Sequence, residues 1–260
     1  MILTNCFEDI LSPLDQFEIR DLLSIDMAIL GNSHFAVTNI FLYLSIATLI
    51  VVSYNIINNN FGRLVPNAWS ISQESIYATI HSIVTSQIDD KKGQIYFPFI
   101  LSLFIFILIN NLIGIVPYSF ASTSHFVLAF SLSFTVVMGS TILGFQKHGL
   151  KFFALFVPAG SPLALLPLLV LIEFISYFFR NISLGLRLAA NIFSGHMLLN
   201  ILSGFTFNIM KTGLFYFVLG LLPLLFIIAF SGLELAIAFI QAQVFAVLSC
   251  SYINDGVHLH

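Results

Sequence analysis

The sequence predicts an all-α integral membrane protein. Three observations carry that prediction. Hydrophobic residues make up 58% of the chain, charged residues make up only 8%, and several apolar runs free of charge are long enough to cross a bilayer. Soluble domains carry about 25% charged residues. A chain of 260 residues with 29 phenylalanines cannot hide so much apolar surface in one aqueous core, so lipid is its solvent. The expected architecture is one N-terminal transmembrane helix, an amphipathic surface helix, a transmembrane hairpin, and two long, steeply tilted, near-horizontal helices. Residues 1–34 read as a polar N-terminal segment and residues 35–260 as a single membrane-embedded unit.

The N-terminal segment holds six of the twelve acids: Glu8, Asp9, Asp15, Glu18, Asp21 and Asp26. Ser12-Pro13 and Gly31-Asn32 punctuate it. It shows no Arg-rich amphipathic leader and no signal-peptide apolar core, so insertion from inside the compartment, or synthesis there, is expected. The first spanning helix is expected over 35–57, ended by Asn58-Asn59-Asn60 and Gly62.

Residues 68–90 differ. Ile76, Ile80, Ile83, Val84 and Ile88 fall on one helical face with polar residues between them. Ser70-Ile71-Ser72-Gln73 resembles a capping box that would open this helix. A helix apolar on one face only is expected to lie on the membrane surface rather than span it.

Residues 95–117 and 125–146 predict a spanning hairpin joined through Pro117-Tyr118-Ser119-Phe120-Ala121-Ser122. A basic loop follows, Lys147-His148-Gly149-Leu150-Lys151. If these segments cross, Arg63, Lys91, Lys92, Lys147 and Lys151 collect on one side and the acidic N-terminus on the other. Basic loops stay inside, so the N-terminus is expected outside; Lys211 runs against the rule.

The last hundred residues predict helices too long to stand upright. Pro158, Pro162 and Pro167 make 156–167 irregular, and Ser161-Pro162 reads as an N-cap followed by proline at the first helical position. A helix from there to Lys211 would be about 73 Å long, and a run from Pro223 to His258 about 54 Å. The hydrocarbon layer is only about 30 Å thick. Each must break, Gly204 being the candidate, or lie steeply tilted. Tilt is favoured because the polar residues keep to one face.

Those polar residues are the candidate site. Glu173, Arg180 and Arg187 follow at intervals of seven, which on a helix drift by only about 20° and so share one stripe. Asn191 and Ser194 extend it. A central arginine in lipid costs about 2.5–3.5 kcal/mol on translocon scales, so such residues face protein or water and function is the default reading. Glu173 and Arg180 can pair with each other. Arg187 has no acid within two turns, and its guanidinium stays ionised, so its partner must come from outside this helix.

Glu234 is the only Asp, Glu, Lys, Arg or His between Lys211 and Asp255. It shares a face with Ala238 and Gln241, leaving room for water or a neighbouring helix. A carboxylate in such surroundings can take up and release protons. His196 is half a turn away from the Arg187 stripe and should face elsewhere, in a separate pocket or against another helix. Asp255 belongs either to a water-filled mouth or to a solvated terminus shared with His258 and His260. His34, His81, His125 and His148 are expected at the surface. Cys6 and Cys250 lie 244 residues apart with no CxxC, so no disulfide framework, metal site or cofactor is expected. No basic patch for nucleic acid is present.

Ser183-Leu184-Gly185-Leu186-Arg187-Leu188-Ala189-Ala190-Asn191 resembles the signature of subunit a of F-type ATP synthases. Leu233-Glu234-Leu235-Ala236-Ile237 through Gln241 resembles that family's last-helix motif. Phe156-Val157-Pro158-Ala159-Gly160-Ser161-Pro162 is similar to its segment before the long helices, and Ser12-Pro13-Leu14-Asp15-Gln16-Phe17-Glu18-Ile19-Arg20 to fungal mitochondrial forms. The resemblance implies a non-catalytic proton-translocating subunit of the mitochondrial inner membrane, with its N-terminus in the intermembrane space and its C-terminus toward the matrix. It implies that Arg187 faces the carboxylates of a rotating c-ring. Glu234 and His196 would form the inlet half-channel, Glu173 and Asp255 the outlet, and Asn191 and Gln241 the polar surroundings of the arginine. Peripheral-stalk and other membrane stator subunits are the implied further partners. Removal of residues 1–11 as a propeptide is implied as well. A secondary transporter would also bury charge, but around inverted repeats or broken helices, and no repeat is visible. A purely structural assembly subunit would not need an unpaired Arg187.

Overall fold

The computed structural model describes residues 15–27, 33–58, 67–88, 90–116, 119–157 and 165–257. The chain opens with a single 3-10 turn, Asp15–Phe17, and an antiparallel hairpin of β1 (Asp21–Met27) and β2 (Ser33–Thr38). Seven helices follow: α1 (Asn39–Asn58), α2 (Ala68–Ile88), α3 (Asp90–Ile115), α4 (Phe126–His148), α5 (Leu166–Lys211), α6 (Leu214–Leu219) and α7 (Leu221–Val257). The hairpin is a departure from the all-α expectation. Its strand β2 takes residues as far as Thr38, so α1 begins at Asn39 rather than Phe35. The Asn39 side chain accepts from the backbone N–H of Ile40 at 3.0 Å, helping to fix that start.

Five helical stretches are long and apolar enough to cross a membrane: Asn39–Ile57, Gly93–Ile115, Phe126–His148, Leu166–Lys211 and Phe215–Val257. This supports a multi-pass α-helical membrane protein. Helix α2 is not among them. Its predicted apolar face does exist, and it packs inward: Ile80, Val84 and Ile88 are buried against the bundle, with Ile76 and Ile83 beside them. The helix starts at Ala68, so Ser70 is inside the first turn and is no N-cap. Its hydroxyl donates back to the carbonyl of Asn67 at 2.7 Å, as serines within a helix do.

The core lies where α3, α4, α5 and α7 meet. Phe104 and Ile107 of α3, Leu184 and Leu188 of α5, and Phe245 of α7 are fully or nearly fully buried. Small residues let the helices approach closely, which is how membrane helices gain contact when lipid is as apolar as leucine. Gly185 of α5 faces Ser133 and Ala129 of α4, where a Cβ would lie 2.8 Å from the serine hydroxyl. At Gly256 of α7 a Cβ would lie 2.7 Å from the backbone oxygen of Ser140. Helix α1 packs on the outside, tied to α2 by Tyr54 Oη and Ser72 Oγ at 2.8 Å and by Gln73 Nε2 donating to Asn55 Oδ1 at 2.9 Å.

Helix α5 is continuous over 46 residues, with no break at Gly204. At 1.5 Å per residue it is about 69 Å long, more than twice the ~30 Å hydrocarbon layer. It begins at Leu166, with Pro167 in its first turn. The N-cap read at Ser161 lies outside the described residues, as do His258, His260, Arg63 and residues 1–11. Proline lacks an N–H and is free of penalty only where no intrahelical bond is needed, so Pro167 marks the start better than Pro162. Helix α7 likewise accommodates Pro223 in its first turn.

Candidate functional site

Helices α5 and α7 lie side by side and antiparallel, and three polar contacts run between them like rungs. His196 Nε2 of α5 is 3.6 Å from Glu234 Oε1 of α7. Asn191 Nδ2 donates to Gln241 Oε1 at 3.1 Å. Arg180 Nη1 donates to Asp255 Oδ2 at 3.3 Å. As the number falls along α5 it rises along α7, the register of two opposed helices. All seven candidate residues therefore sit on two elements, and six of them, with Arg180, form the rungs and their margins.

The first rung is the most enclosed. His196 and Glu234 are 7% and 4% exposed, so neither charge state can be settled by bulk water. Gly195 makes this possible. A Cβ there would stand 2.8 Å from Glu234 Oε1, so only glycine lets the carboxylate lie against α5. Gly114 of α3 lies on the other side, with its Cβ position 3.8 Å from His196 Nε2. The offset of His196 from the Arg187 stripe is as the helical period requires: Ile192 and His196 face inward while Arg187 faces out. Glu234, Ala238 and Gln241 are all buried on one face, as their spacing predicts.

Asn111 of α3, which sequence reasoning passed over, belongs here. It is fully buried, and its Nδ2 lies 3.4 Å from the carbonyl of Ala238, the residue midway between Glu234 and Gln241. Among the described residues, Asn111 Oδ1, His196 Nε2, both Glu234 carboxylate oxygens and Gln241 Nε2 are buried with no hydrogen-bond partner in the chain. Buried polar atoms are normally satisfied by protein or ordered water, so this chamber is chemically suited to hold water. The signal available in the sequence was the Asn110-Asn111 pair inside an otherwise apolar span.

The third rung opens to one side. Arg180 also approaches Glu173 Oε1 at 3.7 Å, so one guanidinium serves two acids. These groups line a cavity of about 430 Å³ with Tyr177 and Tyr252, which sequence reasoning did not single out. The three charged side chains remain 27% to 43% exposed, so the cluster is wet and partly screened. Asp255 is thus the wall of a polar cavity rather than a solvated tail.

Arg187 stands between the second and third rungs and belongs to neither. It is exposed, and among the described residues it has no ion pair and no hydrogen bond. It lines a shallow open groove with Phe179, Ile182, Ser183, Leu186 and Ala190, apolar or small residues that offer it no counter-charge. The ladder is interrupted where the permanent cation sits.

Two of the remaining histidines depart from the surface expectation. His125, in the α3–α4 turn, stacks on Phe120 with ring centroids 4.9 Å apart, and burial holds its imidazole below the ordinary value. His148 Nε2 is 3.0 Å from the Val257 carbonyl, which places the end of α4 beside the end of α7. His81 packs beside Tyr77, and the side chain of His34 lies outside the described residues.

The chain matches the family model for the ATP synthase A chain over residues 39–254. It is 70% identical over 254 residues to ATP synthase subunit a of Emericella nidulans, covering 98% of this chain and 99% of that one. It is 72% identical over 256 residues to ATP synthase subunit a of Neurospora crassa, covering 98% and 97%. A more distant relative, ATP synthase subunit a of Eremothecium gossypii, is 49% identical over 249 residues, covering 96% and 95%.

Proposed function

The chain belongs to the ATP synthase A chain family, and from that premise we propose that the α5–α7 ladder is the stationary half of its proton path, with Arg187 as the divider. A proton enters from the outer aqueous side, passes His196 and Glu234, and reaches a carboxylate on the c-ring of the rotary complex. Neutralised, that carboxylate can turn into lipid; ionised, it would carry a prohibitive desolvation penalty. After most of a turn the acid meets the wet cavity of Glu173, Arg180 and Asp255 and releases its proton inward. Arg187 stabilises the anion as it passes. Asn191 and Gln241 hold the polar edge between Arg187 and the inlet.

The single observation that carries this reading is the unpaired Arg187 on an exposed face, with a buried acid–histidine pair on one side and an open charged cavity on the other. A guanidinium stays ionised at any physiological pH. A cation with no counter-ion among the described residues needs an acid from a partner. It also repels protons that would otherwise run straight from one chamber to the other. Each proton falling through 100 mV supplies about 2.3 kcal/mol, which turns the ring while ATP is made by other subunits.

The same reading sets the placement. Residues 35–260 act as one unit in the mitochondrial inner membrane, with α5 and α7 lying steeply inclined. The N-terminus faces the intermembrane space, the C-terminus faces the matrix, and peripheral-stalk and other stator subunits pack around it. Replacing Arg187 by alanine in the intact complex should abolish proton-driven ATP synthesis while the complex still assembles. Synthesis that persisted in the variant would overturn the role.

A further inference from the structure

The inlet chamber has a wall that comes from the far end of the chain. The 3-10 turn Asp15–Phe17 packs against α5 at Phe193, His196 and Asn200. The Phe17 ring is 4.8 Å from Phe193 and 6.4 Å from the His196 imidazole, edge-on at 71°. Gln16 reaches in two directions. Its Nε2 donates to the Ser119 carbonyl at 3.2 Å, and its Oε1 accepts from Asn200 Nδ2 at 2.9 Å. Phe193, His196 and Asn200 follow at three- and four-residue steps, so they form one face of α5.

These contacts join the two walls of the chamber. Asn200 is on the α5 wall. Ser119 is in the α3–α4 turn, and its hydroxyl donates to the Ile113 carbonyl at 2.5 Å, with the Gly114 carbonyl 3.1 Å away. A Cβ on Gly114 would lie 3.2 Å from Ala121 of that turn and 3.8 Å from His196 Nε2, so Gly114 adjoins both. The turn is also fixed behind: Asn39 Nδ2 donates to the Glu18 carbonyl at 3.0 Å, and the Asn39 backbone N–H donates to the Arg20 carbonyl at 3.1 Å. Glu18 and Arg20, which follow the turn, pair with each other at 3.2 Å and are exposed. Gln16 and Phe17 are themselves neutral, anchored on both sides, and Phe17 is in contact with one member of the acid–histidine pair.

We propose that Phe17 and Gln16 are positioning residues for proton transfer, closing the outer side of the inlet chamber and holding His196 against Glu234. This rests on the proton-path reading above. Phe17 supplies an apolar plate that confines the imidazole. Gln16 clamps the α3–α4 turn to α5 and so sets the width of the chamber. Neither side chain titrates, so neither carries the proton.

The test uses the assembled ATP synthase in lipid vesicles under a fixed proton-motive force. Phe17→Ala should lower synthesis per assembled complex by roughly tenfold, because misplacing a reacting group by about 1 Å has effects of that order or larger. Phe17→Leu, which restores an apolar plate, should recover most of it and guards against a folding defect. Gln16→Ala, which removes both bonds of the clamp, should slow synthesis more than Asn200→Ala, which removes one, and the double variant should be no slower than Gln16→Ala alone. Ala121, buried beside Gly114, offers a direct reading. In an Ala121→Cys enzyme, Phe17→Ala should speed labelling by a small membrane-impermeant thiol reagent from the outer side several-fold. Wild-type synthesis in Phe17→Ala, independent effects of Gln16→Ala and Asn200→Ala, or unchanged labelling would each overturn the proposal. Arg187→Ala is run in parallel. If it also keeps synthesis, the proton-path reading has failed; if it loses synthesis while Phe17→Ala does not, only the positioning role has failed.

Discussion

A methyl group placed on Gly195 would stand 2.8 Å from Oε1 of Glu234 and 3.1 Å from its carboxyl carbon. Helices α5 and α7 therefore touch through a missing side chain, at the most enclosed point of the proposed proton path. Gly195→Ala should push the carboxylate away from His196 rather than unfold the helices, because a carboxylate is the movable end of a flexible chain. Overpacking of this kind costs about 1–3 kcal/mol. The complex should assemble, and its proton-driven synthesis rate should fall by roughly tenfold or more. An unchanged rate per assembled complex would remove this contact from the path.

Glu234→Gln keeps the shape of the side chain and deletes the proton-carrying function proposed for it. Loss of a positioned proton-transfer group is worth on the order of 10²–10⁴-fold. Synthesis should fall into that range. His196→Ala should be milder, since water can occupy the space that the imidazole leaves and relay a proton. Rates measured side by side under one imposed gradient check the order. A harsher effect at His196 than at Glu234 would reverse the assigned roles.

Arg180 divides itself between Asp255 at 3.3 Å and Glu173 at 3.7 Å. With about a third of each side chain exposed, solvent screens the pair, and exposed ion pairs are worth about 0–1 kcal/mol. Asp255→Asn should leave stability nearly unchanged, because Glu173 remains to balance Arg180. Its effect should appear in proton release, as a partial loss of synthesis that deepens in Glu173→Gln/Asp255→Asn. Thermal melting of the purified complex and its synthesis rate separate the two effects.

Gly204 and Gly256 make opposite predictions for one chemical change. Nothing lies within 4 Å of a Cβ built on Gly204, whereas a Cβ on Gly256 meets the Ser140 backbone oxygen at 2.7 Å. Gly204→Ala should leave the subunit as stable or raise its stability by roughly 0.5–1 kcal/mol, the helix preference of alanine over glycine. Gly256→Ala must push α7 off α4, since a backbone carbonyl cannot swing aside, and should lower the melting temperature and the yield of assembled complex. Equal behaviour of the two would contradict the close α4–α7 packing.

Much of this was legible in periodicity. The seven-residue spacing of Glu173, Arg180 and Arg187, the half-turn offset of His196, and the shared face of Glu234, Ala238 and Gln241 are properties of a helix, and they hold in three dimensions. The length of α5 was legible because no proline interrupts it after Pro167. What sequence could not supply is what tertiary packing decides. Nothing local says that Asp255 joins Arg180 across 75 residues, or that Gln16 and Asn200 meet across 184. The β1–β2 hairpin was hidden by the acidity of its segment, which reads as a solvated tail. Asn111 was hidden by its neighbours, since one amide barely alters the hydropathy of an apolar span. Gly195 carried no visible signal, because its role is the space that it leaves.

As a divider between two half-channels, Arg187 has to face a moving acid on the ring. Site-directed cross-linking tests it most directly. A cysteine at Ser183 or Ala190, which flank Arg187 on the same exposed groove, is paired in the intact complex with a cysteine one helical turn from the ring carboxylate. A cysteine at Leu49, exposed on α1, serves as the comparison. Rapid disulfide formation is expected at both groove positions and none at Leu49, with rotation blocked until the bond is reduced. Cross-linking at Leu49 with none at Ser183 or Ala190 would contradict it.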